Sequence, residues 1–404
     1  MIRSVADSLP NVQNLLTFRE GTLSFLAPAP KYDEAKNILT TPRVEVFYNP
    51  RMEFNRDMAV LVLYSIGRTS KNQLRVCEPL TGCGVRGIRY AQVANVQSVA
   101  INDLNPAAAK LAQVNMHEGN FSAQIRVDNK DANRLLSENA SPRARFDFID
   151  IDPYGSPVPF IDPALRALNS DGILALTATD MAPLCGAHAQ ACLRRYGAKP
   201  LRTEYCHELA VRILAGFVCV TAAKYDLSVE PVFCHAADHY VRVYSRMKKG
   251  ASKTESTLRQ LGFVNHCFRC FSRTINLSRF QNVKGNCPNC GTKTDFAGPL
   301  WLGELWNSRL CETMMDGSTQ MTLGQSRRVR RTLEIILREC KGPATFFVLS
   351  NICDKIGISI PKLATVLSEM SNAGFLASNT HFHGQGLRTD CPATKLTNVL
   401  SELN

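Results

Sequence analysis

The chain has 404 residues, enough for two or three domains that each bury a core of their own. Apolar residues make up 45% of it. No unbroken apolar run reaches the roughly 18 residues of a membrane span, so no spanning helix and no membrane partner are expected. Lysines and arginines number 47 against 35 acids, a net charge of +12 that favours a polyanionic partner such as nucleic acid without identifying one. Met1 to Asp7 lack a hydrophobic signal core, so a cytoplasmic protein is expected. The fifteen cysteines then read as small buried hydrophobes unless their spacing suits a ligand.

Residues 1–45 hold short β-like pieces such as Thr22 to Leu26, broken at Ala27-Pro-Ala-Pro30, and no catalytic motif. A helix is predicted over Met58 to Ile66 with Asn55 or Asp57 near its cap. Arg51, Arg56 and the pair Phe47-Tyr48 before it suit either a ligand-facing loop or cap decoration. Leu74 to Ala91 reads strand, tight turn, helix, and Gly82, Gly84 and Gly87 match GxGxxG, letting backbone approach a ligand. A second strand, Val99 to Asn102, is tipped by Asp103, which suits ribose hydroxyls. This pair does not separate a nicotinamide cofactor from S-adenosylmethionine, because both carry adenosine. Arg86 inside the turn points to the methyl donor, since a guanidinium fork serves a free amino-acid carboxylate. A third strand from Ile125 leads to Asp131, suited to an adenine amino group.

The fourth strand, Phe146 to Ile151, ends abruptly in Asp152-Pro153-Tyr154. Asp152 can accept a hydrogen bond from an exocyclic amine, Pro153 offers a carbonyl on a stiff turn, and Tyr154 offers a flat face for a base. Glycine turn, ribose acid, adenine acid and substrate-facing strand tip, in this order, are the parts of a class I methyltransferase. Gly172 to Thr177 reads as strand five and Met181 to His188 as a loop. Cys185, His188, Cys192, Cys206 and His207 invite a metal reading, but their spacing fits no ligand pattern and they read as buried or substrate-side residues, with metal as the alternative. A helix over Ala210 to Tyr225 and a strand over His239 to Met247 complete a doubly wound sheet, with Arg246, Lys248, Lys249 and Lys253 leading out of it.

Cys267-x-x-Cys270 and Cys287-x-x-Cys290, sixteen residues apart, have the spacing of a zinc ribbon, with disulfides as the alternative. Four thiolates leave no open position, so the zinc is structural. Residues 325–404 open on Arg327, Arg328, Arg330 and Arg331 and continue as a helix to Glu339. Helices near Phe347 to Ile356 and Ile360 to Ala373 and a hairpin to Thr389 suggest a winged-helix-like unit. The arginines could track phosphates or form a solvated face.

The blocks Phe47 to Met52, Asn55-Arg-Asp57, Gly84 to Arg89, Asp131-Ala-Asn133, Asp152 to Pro157, Thr177 to His188, Cys206-His-Glu208 and Pro299 to Gly303 resemble the tRNA (guanine-26, N2)-dimethyltransferases, from about residue 20 to Pro392. That resemblance implies cofactor contacts from Arg56, Arg86, Asp103, Asp131 and Ala132, beside the turn glycines Gly82 and Gly84. It implies Asp152 as the catalytic residue and Phe47 and Tyr154 as aromatics packing on guanine next to Pro153. Some members of the family the chain resembles lack the four cysteines, in keeping with a stabilising role. His381 and Arg388, in a stretch similar to the family's tail, are candidate RNA contacts.

The expected architecture is α/β: a class I methyltransferase Rossmann-like sheet with an N-terminal β extension over 1–255, and a C-terminal α+β, tRNA-binding domain over 256–404. Within the latter the zinc ribbon spans about 263–298 and the winged-helix-like unit about 325–404. The expected activity is transfer of methyl groups from S-adenosylmethionine to guanine N2 of tRNA, with structural Zn²⁺ and no obligate protein partner. The competing expectations are a methyltransferase on an amine of DNA or ribosomal RNA, and a non-catalytic tRNA-binding protein on a methyltransferase frame.

Overall fold

Strands covered by helices on both faces must be buried on both, and the runs at 74–78, 96–102 and 146–151 are buried along most of their length. The computed structural model describes residues 15–29, 31–33, 38–40, 46–117, 121, 123–278 and 285–403, with 31–33 and 38–40 as backbone alone. The reading of Met1 to Asp7 lies outside the described residues. The chain divides into two compact units: Met1–Pro153 with Phe160–Leu176 and Glu312–Leu333, and Tyr154–Pro159 with Thr177–Cys311 and Glu334–Asn404.

The first unit opens with two antiparallel pairs, β1 (Leu15–Glu20) with β2 (Leu23–Pro28) and β3 (Lys31–Asp33) with β4 (Ile38–Thr40). A short turn at Pro50–Met52, where Asn49 Oδ1 accepts from Arg51 N at 3.0 Å, leads into α1 (Glu53–Thr69). Asn55 and Asp57 therefore do not cap the helix, as expected from sequence, but lie fully buried within it. The Asn-Pro pair starts the helical path earlier than the apolar run suggests.

There follow β5 (Leu74–Glu78), α2 (Val85–Ala91), β6 (Val96–Asn102), α3 (Pro106–Met116), β7 (Gln124–Asp128), α4 (Ala132–Glu138), β8 (Phe146–Ile151), α5 (Val158–Ala167) and β9 (Leu168–Ala178). The strands run parallel in the order β7-β6-β5-β8-β9. The chain winds outward from β5 to β7 and then returns to β8. The carboxyl ends of β5 and β8 thus form the switch point at which such sheets bind ligands.

The second unit contains α6 (Met181–Leu184), α7 (Ala189–Tyr196), α8 (Cys206–Ala223), an antiparallel pair β10 (Leu227–Ala237) and β11 (Tyr240–Lys249), and α9 (Ala251–Leu258). Met181 to His188, expected as loop, includes the helical turn α6. The sequence reading missed β10, and Lys248 and Lys249, expected to lead out of the sheet, lie within β11. Alternating exposure at the end of β11 blurred its boundary. Then come β12 (Leu261–His266), β13 (Arg273–Asn276) and β14 (Asp295–Trp301), in the order β13-β12-β14. Helices α10 (Ser308–Gln320) and α11 (Ser326–Glu339) follow, contributing 312–320 and 326–333 to the first unit.

The chain ends with β15 (Phe347–Val348), α12 (Leu349–Ile356), α13 (Leu363–Asn372), β16 (Ala377–Thr380), β17 (His383–Thr389) and α14 (Ala393–Glu402). Their core holds Ile352, Val366, Met370, Leu387 and Leu396. Helix α8 is long and apolar enough to cross a membrane, but 72% of it is buried inside the fold.

Candidate functional site

The turn after β5 is built around Glu78, which is buried at the strand end. Its carboxylate accepts from Thr81 Oγ1 at 2.6 Å and Gly87 N at 2.8 Å, and Arg86 Nε lies 3.4 Å away. Burial outweighs the pull of Arg86 and pushes Glu78 from 4.5 up to about 8. With the folded value above the unfolded one, this group's stabilisation is complete below pH 4.5 and lost as pH rises to about 8. Glu78→Gln should flatten that part of the stability profile, measured by urea unfolding across the same range.

Of the three glycines, Gly82 (φ +56°) makes the turn, and a Cβ there would lie 2.8 Å from the Phe47 carbonyl oxygen. A Cβ on Gly87 would lie 2.1 Å from Ile101 Cγ2, so this glycine lets α2 pack on β6. The motif's spacing therefore serves internal packing.

Asp103 follows β6, and its carboxylate accepts from Gly82 N at 2.8 Å and Asn105 N at 2.9 Å. Burial raises it above the usual carboxylate range. The adjacent Asn102, which the sequence reading passed over, is wholly buried. Its amide donates to the carbonyls of Pro79 and Lys130, both at 2.9 Å, and its oxygen accepts from Lys130 N at 2.9 Å. It fastens the glycine turn to the loop before α4. That loop carries Asp131, exposed and capping α4 by accepting from Arg134 N at 3.0 Å, and Ala132, which is buried. An Asn inside an apolar strand was the only signal for this stitch.

Asp152 stands one residue past β8 with its side chain 17% exposed. Arg86, buried, hydrogen-bonds to it and to Asp150 Oδ2 at 3.1 Å, and Asp150 also accepts from Tyr90. Burial would lower the guanidinium, but Asp152 and Asp150 outweigh it and hold Arg86 well above its ordinary value. The structure thus joins the expected catalytic acid to the expected cofactor arginine. Arg56 is also buried, bonded to Glu20 and donating to the Asn49 carbonyl at 3.0 Å. Glu20 further accepts from Arg89 at 2.9 Å and Tyr48 at 3.0 Å, and Arg89 reaches Asp57 at 2.5 Å. Burial raises Glu20, yet the two arginines bring it below the usual carboxylate range. Phe47 and Pro153 are half-buried.

In the second unit Tyr154 is 70% exposed. The loop behind it is tied down: Gly155 N donates to Thr179 Oγ1 at 2.7 Å, and Thr179 N donates to the Gly155 carbonyl at 2.9 Å. Ser156 Oγ lies 2.8 Å from the Tyr196 hydroxyl, which donates to Asp180 at 2.7 Å.

The four cysteines converge, with Cys267 and Cys290 sulfurs 3.5 Å apart and Cys270 and Cys287 sulfurs likewise 3.5 Å apart. Tetrahedral Zn²⁺ with bonds of about 2.3 Å needs sulfurs about 3.8 Å apart, so the set fits the ion. Each knuckle closes alike: Phe271 N donates to the Cys267 carbonyl and Gly291 N to the Cys287 carbonyl, both at 2.9 Å.

Arg327, Arg330 and Arg331 are exposed on α11, opposite the buried Val329, Leu333 and Ile336. His381 and Arg388 are not available to RNA: Arg388 is 1% exposed, and His381 lies against Glu339 with Nδ1 at 2.5 Å. Both read as candidate RNA contacts from sequence, where nothing nearby supplies their acids.

A model of the family described as N2,N2-dimethylguanosine tRNA methyltransferase matches residues 28–401. The tRNA (guanine(26)-N(2))-dimethyltransferase of Methanobrevibacter smithii is 38% identical over 360 residues, covering 89% of this chain and 92% of its own length. The enzyme of that name from Methanothermobacter thermautotrophicus is 37% identical over 390 residues, covering 96% and 99%. The solved structure of Trm1 from Pyrococcus horikoshii in complex with S-adenosyl-L-methionine superposes with a TM-score of 0.82 at 32% identity, covering 96% of this chain and 100% of that one. The glycine turn, the acids at the strand ends and the four-thiol group thus occur in a chain that belongs to the N2,N2-dimethylguanosine tRNA methyltransferase family.

Proposed function

We propose that this protein transfers methyl groups from S-adenosylmethionine to the exocyclic N2 of guanine 26 in tRNA, giving N2,N2-dimethylguanosine. The observation that carries the reading is Asp152, a half-buried carboxylate at the carboxyl end of β8 held by the buried Arg86. Guanine N2 is a poor nucleophile because its lone pair is delocalised into the ring. Asp152 accepts one N–H and the Pro153 carbonyl the other, favouring a pyramidal nitrogen. After the nitrogen–carbon bond forms, the proton leaves to Asp152. With one methyl already in place, the remaining N–H still has Asp152 as its acceptor, so the second transfer uses the same group. General-base help of this kind contributes about 10²–10⁴-fold, and alignment of the reacting atoms adds to it.

S-adenosylmethionine supplies an electrophilic methyl on a sulfonium. Asp103, beside the Gly82 N–H, suits its ribose hydroxyls, and Asp131 with the small, buried Ala132 suits adenine. Gly82 and Gly84 form the turn at the cofactor. Arg56 and Arg86 supply positive charge towards the methionine carboxylate while remaining bonded to protein acids. Phe47 and Tyr154 pack on the base. Incubation with tRNA transcripts and nucleoside mass spectrometry tests this. Mono- and dimethylguanosine should appear, and a transcript with adenine at position 26 should stay unmodified. Methylation confined to DNA or ribosomal RNA, or tRNA binding with no methyl transfer at all, overturns it.

The methyltransferase domain is assigned to 1–255 and the tRNA-binding domain to 256–404, with a structural Zn²⁺ on Cys267, Cys270, Cys287 and Cys290 and a winged-helix-like unit from α11 to α14. The exposed arginines of α11 suit tRNA phosphates. Cys270→Ser should remove one zinc per chain and lower the melting temperature, while S-adenosylmethionine binding by calorimetry stays within about twofold of the parent. Metal binding stabilises only the fold that presents all four thiolates.

A further inference from the structure

We propose that Cys185, Cys206 and His207 form a second metal site, which takes Zn²⁺ through two thiolates and one imidazole and leaves its fourth position open. Their ligand atoms all lie within 4.8 Å of one another. Among the described residues, the only other such group is the four-cysteine set. A tetrahedral zinc with sulfur at about 2.3 Å and nitrogen at about 2.0 Å needs its donors roughly 3.5–3.8 Å apart. The side chains therefore have to close by about 1.3 Å at most. Both cysteines are free thiols and, like His207, half-buried, so an ion can enter from solvent and still be shielded.

The fold brings the three together from two directions. Cys185 caps the carboxyl end of α6, its N–H donating to the Met181 carbonyl at 2.7 Å. Gly186 follows with φ +92°, and a Cβ there would lie 2.9 Å from Arg202 N. The chain can turn this tightly against residues 201–202, just before α8, only because that side chain is missing. Cys206 and His207 are the first two residues of the 18-residue α8, where the helix dipole favours the negative charge of a thiolate. Two sulfurs and an imidazole select a thiophilic ion over Mg²⁺ or Ca²⁺. Binding releases one proton from each thiol to solvent and involves no change of oxidation state.

The sequence offered the metal reading only as an alternative, because the site's two halves are separated by residues 186–205, with no CxxC or HxxxH pair. Its consequence lies one turn upstream. Thr179 and Asp180, which hold the Tyr154 loop through Gly155 and through Tyr196 to Ser156, immediately precede α6. A metal on Cys185 ties that segment to α8. The site stands whether or not the proposed reaction is right, since its test counts metal.

Zinc is measured by mass spectrometry on the full chain purified under reducing, oxygen-free conditions. Two zinc ions per chain are expected for the parent and one each for Cys206→Ser and Cys270→Ser. Parent protein with one zinc that Cys206→Ser retains overturns the proposal, as does a Cys185–Cys206 disulfide with no second metal. If Cys206→Ser fails to fold, Co²⁺ titration of the parent replaces it. Saturation at two equivalents is expected, with azide shifting the d–d bands of the ion that has a free position. Saturation at one equivalent, with a spectrum unmoved by azide, overturns the site.

Discussion

Asp152→Asn should lower the single-turnover rate of methyl transfer to tRNA by about 10²–10⁴-fold. Asparagine keeps the shape of the side chain, and its oxygen can still accept from Arg86, so the strand tip is preserved. What it cannot do is take up the proton that guanine N2 must release. Binding of S-adenosylmethionine and of tRNA, measured separately, should stay within about threefold of the parent, because the acids at 103 and 131 and the arginines of α11 are untouched. A rate within threefold of the parent would remove Asp152 from the chemistry. A matched loss of cofactor binding would mean that the Arg86–Asp152 pair serves the cofactor instead.

Much of this site could be read from sequence, for a physical reason. Parallel strands buried on both faces are largely apolar, so Asp103 and Asp152 just past their carboxyl ends stand out, and those ends are where open α/β sheets bind ligands. The four cysteines were legible because knuckle geometry fixes their spacing. What periodicity cannot supply is the partner of a charged residue. Arg86 read as a ligand fork, yet its acids come from the ends of β5 and β8. Asp57 read as a cap, yet it accepts from Gln325 N, 268 positions away, at 2.7 Å. Glu20 sat in a stretch with no motif and pairs with two arginines of later helices. Sequence displays the strand ends directly, and shows only the residue type, not the role, of a buried ion pair.

The same blindness hid a buried polar cluster of the second unit, and Arg388→Met should expose it by costing about 3–5 kcal/mol of stability, read from urea unfolding. Arg388 donates to Glu208 at 2.9 and 3.2 Å, to Glu339 at 3.0 Å and to the Pro343 carbonyl at 2.6 Å. Arg212 donates to Glu208 at 2.9 Å. Two arginines thus balance two acids, all four nearly or wholly buried. Methionine fills much of the volume but leaves Glu208 and Glu339 to share Arg212 and His381. Burial pushes Glu208 up, while Arg388 and Arg212 more than offset it and hold it at about 2. Its folded value lies below the unfolded 4.5, so the stability it contributes is present above pH 4.5 and lost as pH falls towards 2. The gap between parent and variant should therefore be widest near neutral pH and narrow on acidification. A gap that is constant from pH 7 to about 3 would mean that lost packing rather than lost charge balance explains the effect. Adding Glu208→Gln to Arg388→Met should recover part of the loss, because it removes one of the two acids that the variant leaves short of a cation.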